Sequence, residues 1–292
     1  KISAKASDYQ VVKTFKNGDP DKFVKLGDSI PFVITTTFPS YEDGTDNRTF
    51  TITDTPTGMK ITNIKVKVGN DDLQAGTEYT LDKTLPSTEA VTVNFATDYI
   101  GTENTHAGKT VTVEVTATVT EAGKYSNEAK TNKAFDPSKV EGETGSITIN
   151  KVDKGNNVLK GAEFSVALDG TKLEFVEVET GVYRLATADD AADTKVTNVV
   201  ATNGTVVVKG LDEGTYNIVE EKAPKGYSVV DVADQTISAG ENANITVTVT
   251  DTKLSALPHT GGIGTTIFTI AGCAIMVAAA FFFFASRKKA NK

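Results

Sequence analysis

Val111-Thr112-Val113-Glu114-Val115-Thr116-Ala117-Thr118-Val119-Thr120 alternates an apolar with a polar residue at every step. Successive side chains of an extended chain point to opposite faces, so this period of two puts the four valines and Ala117 on one side of a half-buried strand. Ile245-Thr246-Val247-Thr248-Val249-Thr250 does the same near the other end of the chain. Between such runs lie turn pairs at Asn17-Gly18, Asp43-Gly44, Asp169-Gly170 and Asn203-Gly204. Before the tail, only residues 186–192 suggest helix, as one short turn. Short strands with regular turns predict an all-β chain of two tandem immunoglobulin-like β-sandwich domains. The polar, turn-prone stretch 136–145 divides them, giving expected domains at 1–140 and 141–253, with a tail at 254–292.

The 292 residues carry 38 acidic and 30 basic side chains, a net charge of -8. That balance argues against nucleic acid as a partner. Cys273 is the single cysteine, so no intrachain disulfide can form and something else must hold an exported chain together. The only histidines, His106 and His259, are far apart in sequence, and with the single Cys273 they argue against a zinc site; neither a metal nor a cofactor is expected. The sequence begins at Lys1 without a methionine or signal peptide, so an exported protein of this kind is expected to be processed or truncated there.

Residues 263–285 carry no charge and include Phe281 to Phe284 in succession. At ~1.5 Å per residue they can cross a hydrocarbon core of ~30 Å as one transmembrane helix. Arg287, Lys288, Lys289 and Lys292 follow and belong on the cytoplasmic side. An ordinary membrane anchor would explain those two features. The pentapeptide just before them, Leu257-Pro258-His259-Thr260-Gly261, matches the LPxTG pattern, and the three parts in this order resemble the sorting signal of sortase substrates. Pro258 favours an extended, accessible segment. The resemblance implies attack by a sortase cysteine on the Thr260 carbonyl, release of the chain from Gly261 onward, and transfer of Thr260 to an amine. Sortase is therefore an expected partner. So is either another pilin subunit or a peptidoglycan precursor, with the membrane holding the chain only before sorting.

Alternation also exposes six polar residues on apolar faces. Lys13 shares a face with Tyr9, Val11 and Phe15, Asp54 with Phe50 and Ile52, and Asn127 with Tyr125 and Ala129. In the second half, Lys151 aligns with Ile147 and Ile149, Glu220 with Tyr216 and Ile218, and Asp251 with Ile245, Val247 and Val249. Any one of them fits a strand end or a side chain reaching the rim. Six in the same order in both halves point further, because a buried charge must pair, shift its pKa or react. Desolvation favours a neutral lysine, which is a nucleophile, and a protonated acid, which can polarise a carbonyl and shuttle protons. Lys13 attacking Asn127 would release ammonia, and Lys151 attacking Asp251 would release water. Asp54 and Glu220 would be the catalytic acids. The isopeptide bonds would close loops of 114 and 100 residues (127 − 13 and 251 − 151).

Several stretches resemble known families. Gly145-Ser-Ile-Thr-Ile-Asn-Lys151-Val-Asp153, Leu159-Lys-Gly161-Ala162-Glu-Phe164 and Gly214-Thr-Tyr216-Asn-Ile-Val-Glu220-Glu-Lys-Ala223-Pro224-Lys-Gly226-Tyr227 are similar to the collagen-adhesin B-type (Cna-B) repeat of Gram-positive pilins. The resemblance maps its reactive lysine to Lys151 and its catalytic glutamate to Glu220. The acceptor is often asparagine in that family and is Asp251 here. Val11-Val12-Lys13-Thr14-Phe15, Lys25-Leu-Gly27-Asp28-Ser-Ile30-Pro-Phe32, Ile52-Thr53-Asp54-Thr55-Pro56-Thr57-Gly58-Met59 and Tyr125-Ser-Asn127-Glu-Ala129 resemble the fimbrial isopeptide-forming domain, mapping its triad to Lys13, Asp54 and Asn127. Together these imply a fimbrial subunit at the cell wall surface of a Gram-positive bacterium. The Tyr-Pro-Lys-Asn-type pilin motif of backbone subunits is not found in this sequence. Two functions stay open: a pilus subunit that serves adhesion, or a monomeric wall-anchored adhesin or stalk with a host surface ligand. Nothing in the sequence pairs a nucleophile with a histidine or supplies a cofactor loop, so an enzyme acting on outside substrates is not expected. Glu42-Asp43-Gly44-Thr45-Asp46-Asn47 lacks the spacing and distal glutamate of a calcium loop and reads as a turn.

Overall fold

The alternating stretch from Val111 forms the middle strand of a five-stranded sheet. The computed structural model describes residues 9–134, 136–254 and 269–280. In the first sandwich, one sheet runs β1 (Val12–Phe15), β2 (Ser29–Thr37), β8 (Thr110–Val119), β4 (Met59–Val68) and β5 (Asp71–Asp72). The facing sheet runs β10 (Ser138–Glu143), β9 (Lys124–Thr131), β3 (Thr51–Thr57), β7 (Val91–Phe95) and β6 (Tyr79–Leu81). Val111, Val113, Val115, Ala117 and Val119 are each at most 1% exposed, so the period of two marked the core face. Each such valine gains roughly 1.5–3 kcal/mol on leaving water. Phe38, Phe50 and Phe95 close one end, with the Phe50 and Phe95 rings stacked at 4.7 Å.

The second sandwich has a seven-stranded sheet ordered β16 (Lys195–Val196), β14 (Phe175–Glu179), β15 (Val182–Leu185), β18 (Thr205–Leu211), β11 (Gly145–Asp153), β22 (Asn244–Lys253) and β20 (Tyr227–Ser228). Its partner sheet runs β13 (Thr171–Lys172), β12 (Glu163–Leu168), β19 (Gly214–Lys222) and β21 (Gln235–Ile237), with β17 (Asn198–Val200) also on β12. The first and last strands of this sandwich, β11 and β22, lie side by side and parallel, Lys151 opposite Val249 and Asp153 opposite Asp251. Asp169-Gly170 turns β12 into β13 with both residues at positive φ, 50° and 76°, as a two-residue hairpin of this twist requires.

Two expectations change. Residues 186–192 are not a helical turn. Asp190 accepts hydrogen bonds from Thr187 N at 2.7 Å and from Arg184 Nη1 at 2.8 Å, and its own backbone N donates to Thr187 O at 3.3 Å, so a single turn braced by a side chain closes the loop and no helix follows from it. A 3-10 turn follows only at Ala192–Thr194. The polar stretch from Asp136 to Gly145, read as a divider, contains β10, which pairs with β9 from Ser138 opposite Ala129 to Glu143 opposite Lys124. An edge strand with one wet side has the composition of a linker.

Only Thr144 separates β10 from β11. Its backbone N donates to Gly123 O at 3.0 Å and its Oγ1 accepts from Gly123 N at 2.8 Å. Leu26 N donates to Gly210 O at 2.9 Å, and Lys60 Nζ meets Asp189 at 2.6 Å. Gly210 has φ 84°, and a Cβ there would sit 2.8 Å from Leu26 Cβ. The two sandwiches therefore meet through backbone contacts in which a side chain at 210 has no room.

Residues 269–280 are helical and, apart from the half-buried Gly272, exposed. The remainder of the expected span and the whole pentapeptide 257–261 lie outside the described residues, and among the described residues no helix is long and apolar enough to cross a membrane.

Gly210→Val combines a disfavoured φ with this clash and is expected to destabilise the chain by about 1–3 kcal/mol. A denaturant midpoint unchanged from wild type would contradict the tight joint.

Candidate functional site

All six polar residues singled out by alternation are buried: Lys13 3%, Asp54 2%, Asn127 0%, Lys151 0%, Glu220 5% and Asp251 0% exposed. They form two clusters, one in each sandwich.

In the first, β1 lies at the edge of its sheet with Lys13 opposite Ile34 and Phe15 opposite Phe32. The same alternation that buries Phe15 carries Lys13 inward. Its Nζ contacts Asp54 Oδ1 and sits 4.9 Å from the centre of the Phe32 ring. Asp54 is on β3, between β9 and β7. Asn127 is on β9, opposite Pro56 of β3 on one side and Val140 of β10 on the other. Burial pushes the Lys13 amine below its ordinary range, and the Asp54 carboxylate only partly restores it. Burial likewise raises Asp54, with Lys13 and the approaching Asn127 amide pulling the other way. Both shifts favour neutral partners. Asp54 Oδ2 and both amide atoms of Asn127 are buried without a hydrogen bond of normal geometry among the described residues. Such orphans are costly.

In the second cluster, the parallel register of β11 and β22 puts Lys151 and Asp251 on one face as diagonal neighbours. Lys151 Nζ contacts Asp251 Oδ1 and stands 2.8 Å from Glu220 Oε1, with all three side chains fully out of solvent. Glu220 comes from the opposite sheet, on β19, where it faces Phe164 of β12. The Phe164 ring centre lies 5.8 Å from Nζ. Burial raises the pKa of Glu220, opposed by hydrogen bonds from Lys151 and from the Val230 backbone. That amide donates to Glu220 Oε2 at 3.0 Å and leaves Oε1 turned toward the lysine.

Chemically, each cluster holds a buried amine, an acid able to carry a proton, and a carboxamide or carboxyl carbon. Reasoning from sequence missed the backbone donor of Val230, because no side-chain pattern reports a main-chain contact. It also missed the aromatic floors, since Phe32 and Phe164 read as ordinary core residues. The cleft of about 1000 Å³ at the joint, lined by residues such as Lys60, Arg184 and Asp189, holds none of the six.

Two all-β sandwiches, each with a lysine buried against an acid and followed by a sorting pentapeptide, define a class of wall-anchored surface protein. Comparison with known proteins agrees. Residues 145–253 match the SpaA prealbumin-like fold domain and residues 249–292 match the LPXTG cell wall anchor motif. The chain thus ends in a cell wall anchor. Solved structures share the two-domain fold. The pilus 2b backbone protein of group B streptococcus is 24% identical, with 84% of this chain and 99% of that one covered at a TM-score of 0.59. The pilus backbone of Streptococcus pneumoniae is 13% identical, with 85% and 100% covered at 0.58. The major pilin subunit BcpA of Bacillus cereus is 19% identical, with 84% and 71% covered at 0.51. At these identities the likeness is one of fold. No curated protein sequence matches.

Removing one partner of a buried pair strands the other. Asp54→Ala is expected to be about 3–5 kcal/mol less stable than the double variant Lys13→Met/Asp54→Leu, which removes both charges and fills the space. Equal denaturant midpoints would show that Lys13 and Asp54 do not depend on each other.

Proposed function

We propose that this protein is a structural subunit of a sortase-assembled pilus on a Gram-positive cell wall, and that each sandwich seals itself with an isopeptide bond. The observation that carries the proposal is the pair of buried clusters, each joining an early strand of its sandwich to a late one. In the first, Lys13 Nζ attacks Asn127 Cγ. Asp54 gives a proton to the amide oxygen and takes one from the incoming nitrogen, a C–N bond forms, and ammonia leaves. In the second, Lys151 Nζ attacks Asp251 Cγ with Glu220 in the same role, and water leaves. Folding supplies the high effective molarity that amide formation needs. By analogy with disulfides, closing loops of this length stabilises by ~4–5 kcal/mol. Unlike a disulfide, the bond does not depend on redox conditions and needs no second cysteine. Tension applied along the chain passes through the bond and spares most of each sandwich.

At the C-terminus, sortase takes Thr260 as an acyl donor and releases Gly261 onward. The acceptor is an amine of another pilin subunit or of the peptidoglycan precursor. The fold shared with pilus backbone proteins and the wall anchor favour polymerisation over a solitary adhesin. Adhesion through a host surface ligand is the expected service of such a fibre.

Intact mass of the folded ectodomain is expected to be short of the calculated value by one ammonia and one water. Asp54→Ala restores the ammonia alone and Glu220→Ala the water alone. A wild-type mass equal to the calculated one rules out both cross-links. Wall extracts on a denaturing gel should give a ladder that Thr260→Ala abolishes, the variant remaining with the membrane. A single wall-linked band from wild type would mean an unpolymerised surface protein.

A further inference from the structure

The strand that leaves the first sandwich for the second also closes the first reaction site. We propose that β10 is a lid that positions Lys13 and Asn127, so that the first cross-link forms only after β10 has paired with β9. This rests on the cross-link chemistry proposed above.

Three contacts support it. First, without β10 the outermost strand of its sheet would be β9, and Asn127 would sit on a solvent edge. Val140 lies opposite Asn127, and Asn127 is 0% exposed. Exclusion of water disfavours the charged form of the amine, so the covering strand contributes to reactivity as well as to stability. Second, the Lys13 backbone N donates to Ser138 Oγ at 2.9 Å. The first residue of β10 thereby ties the edge of one sheet to the edge of the other, at the residue whose side chain reacts. Third, β10 is held down by the rest of the first sandwich. Gly142 packs under Tyr125, two residues before the acceptor on the same strand. A Cβ at 142 would come 2.3 Å from Tyr125 Cζ and 2.7 Å from Lys22 O. The Tyr125 hydroxyl donates to Asp21 O, Val24 N donates to Glu143 O at 3.3 Å, and Thr144 N donates to Gly123 O at 3.0 Å.

Every residue of the Lys13, Asp54 and Asn127 triad has been made once the chain reaches 127. The lid comes later, at Ser138–Glu143, and its far end continues straight into β11. Ser138 is therefore a positioning residue for a reaction in which it exchanges no atoms. The bond made, from Lys13 Nζ to Asn127 Cγ with ammonia leaving, is unchanged. What the lid controls is when the amine and the amide are dry and aligned.

The full chain made by cell-free synthesis, quenched in denaturant at intervals and digested, gives both cross-linked peptides as functions of time. Ser138→Ala is expected to slow the Lys13–Asn127 link roughly five-fold, the effect of one lost hydrogen bond. Ser138→Thr, which keeps the acceptor oxygen, restores the rate. Gly142→Val, which forces β10 away, slows it by more than ten-fold. In all three the Lys151–Asp251 link appears at the wild-type rate and serves as the internal control for folding. A Lys13–Asn127 link that forms in Ser138→Ala and Gly142→Val as fast as in wild type overturns the lid. A wild-type chain that never forms the link overturns the cross-link chemistry itself.

Discussion

Lys151 has no solvent-exposed surface, and its Nζ sits against Asp251 and 2.8 Å from Glu220. In water an ammonium would be far more stable than in this apolar seam between β11 and β22, and desolvation of such a group costs several kcal/mol before any partner is counted. Lys13 meets the same constraint against Asp54. A chain can carry two such groups only if each is neutralised, paired or consumed. The surrounding structure follows from meeting that requirement twice. The acid comes from the sheet facing the lysine in both clusters, and the proposed acceptor from a strand near the end of the sandwich. A hydrophobic ring lies beneath each amine, and in the second cluster a backbone amide fixes the spare oxygen of the acid.

Much of this was legible in the sequence because a strand assigns faces by counting. Val111 to Val119 gave the central strand and its inward face. The same counting put Lys13 beside Phe15 and Glu220 beside Ile218, and all six polar residues are buried. What the sequence concealed is of another physical kind. β10 is an edge strand with one solvated side, so Ser138 and Lys139 looked like linker. Val230 acts through its main chain. Residues 186–192 have helical composition, but the Asp190 carboxylate captures Thr187 and Arg184 and holds the backbone to one turn. Parallel pairing of β11 with β22, which brings Lys151 to Asp251 across 100 residues, is a long-range fact that no local pattern contains.

The joint bears on how such a chain would serve in the proposed fibre. With Thr144 clasped to Gly123 on both sides and Gly210 pressed on Leu26, the passage between sandwiches has no free linker. A polar spacer would let the two bend independently. Here the last strand of the first sandwich and the first strand of the second are separated by one residue. The absence of any possible intrachain disulfide fits the same economy, since covalent closure by lysine needs no oxidant and survives reducing conditions.

The central claim is that each buried lysine nitrogen has become an amide. Nitrogen-15 labelling of lysine side chains tests it directly by nuclear magnetic resonance on the folded ectodomain. The account predicts that the nitrogens of Lys13 and Lys151 resonate in the amide range with one attached proton each, while other lysines keep amine signals. If both appear as amines in the folded protein, the clusters are buried ion pairs and the account is wrong.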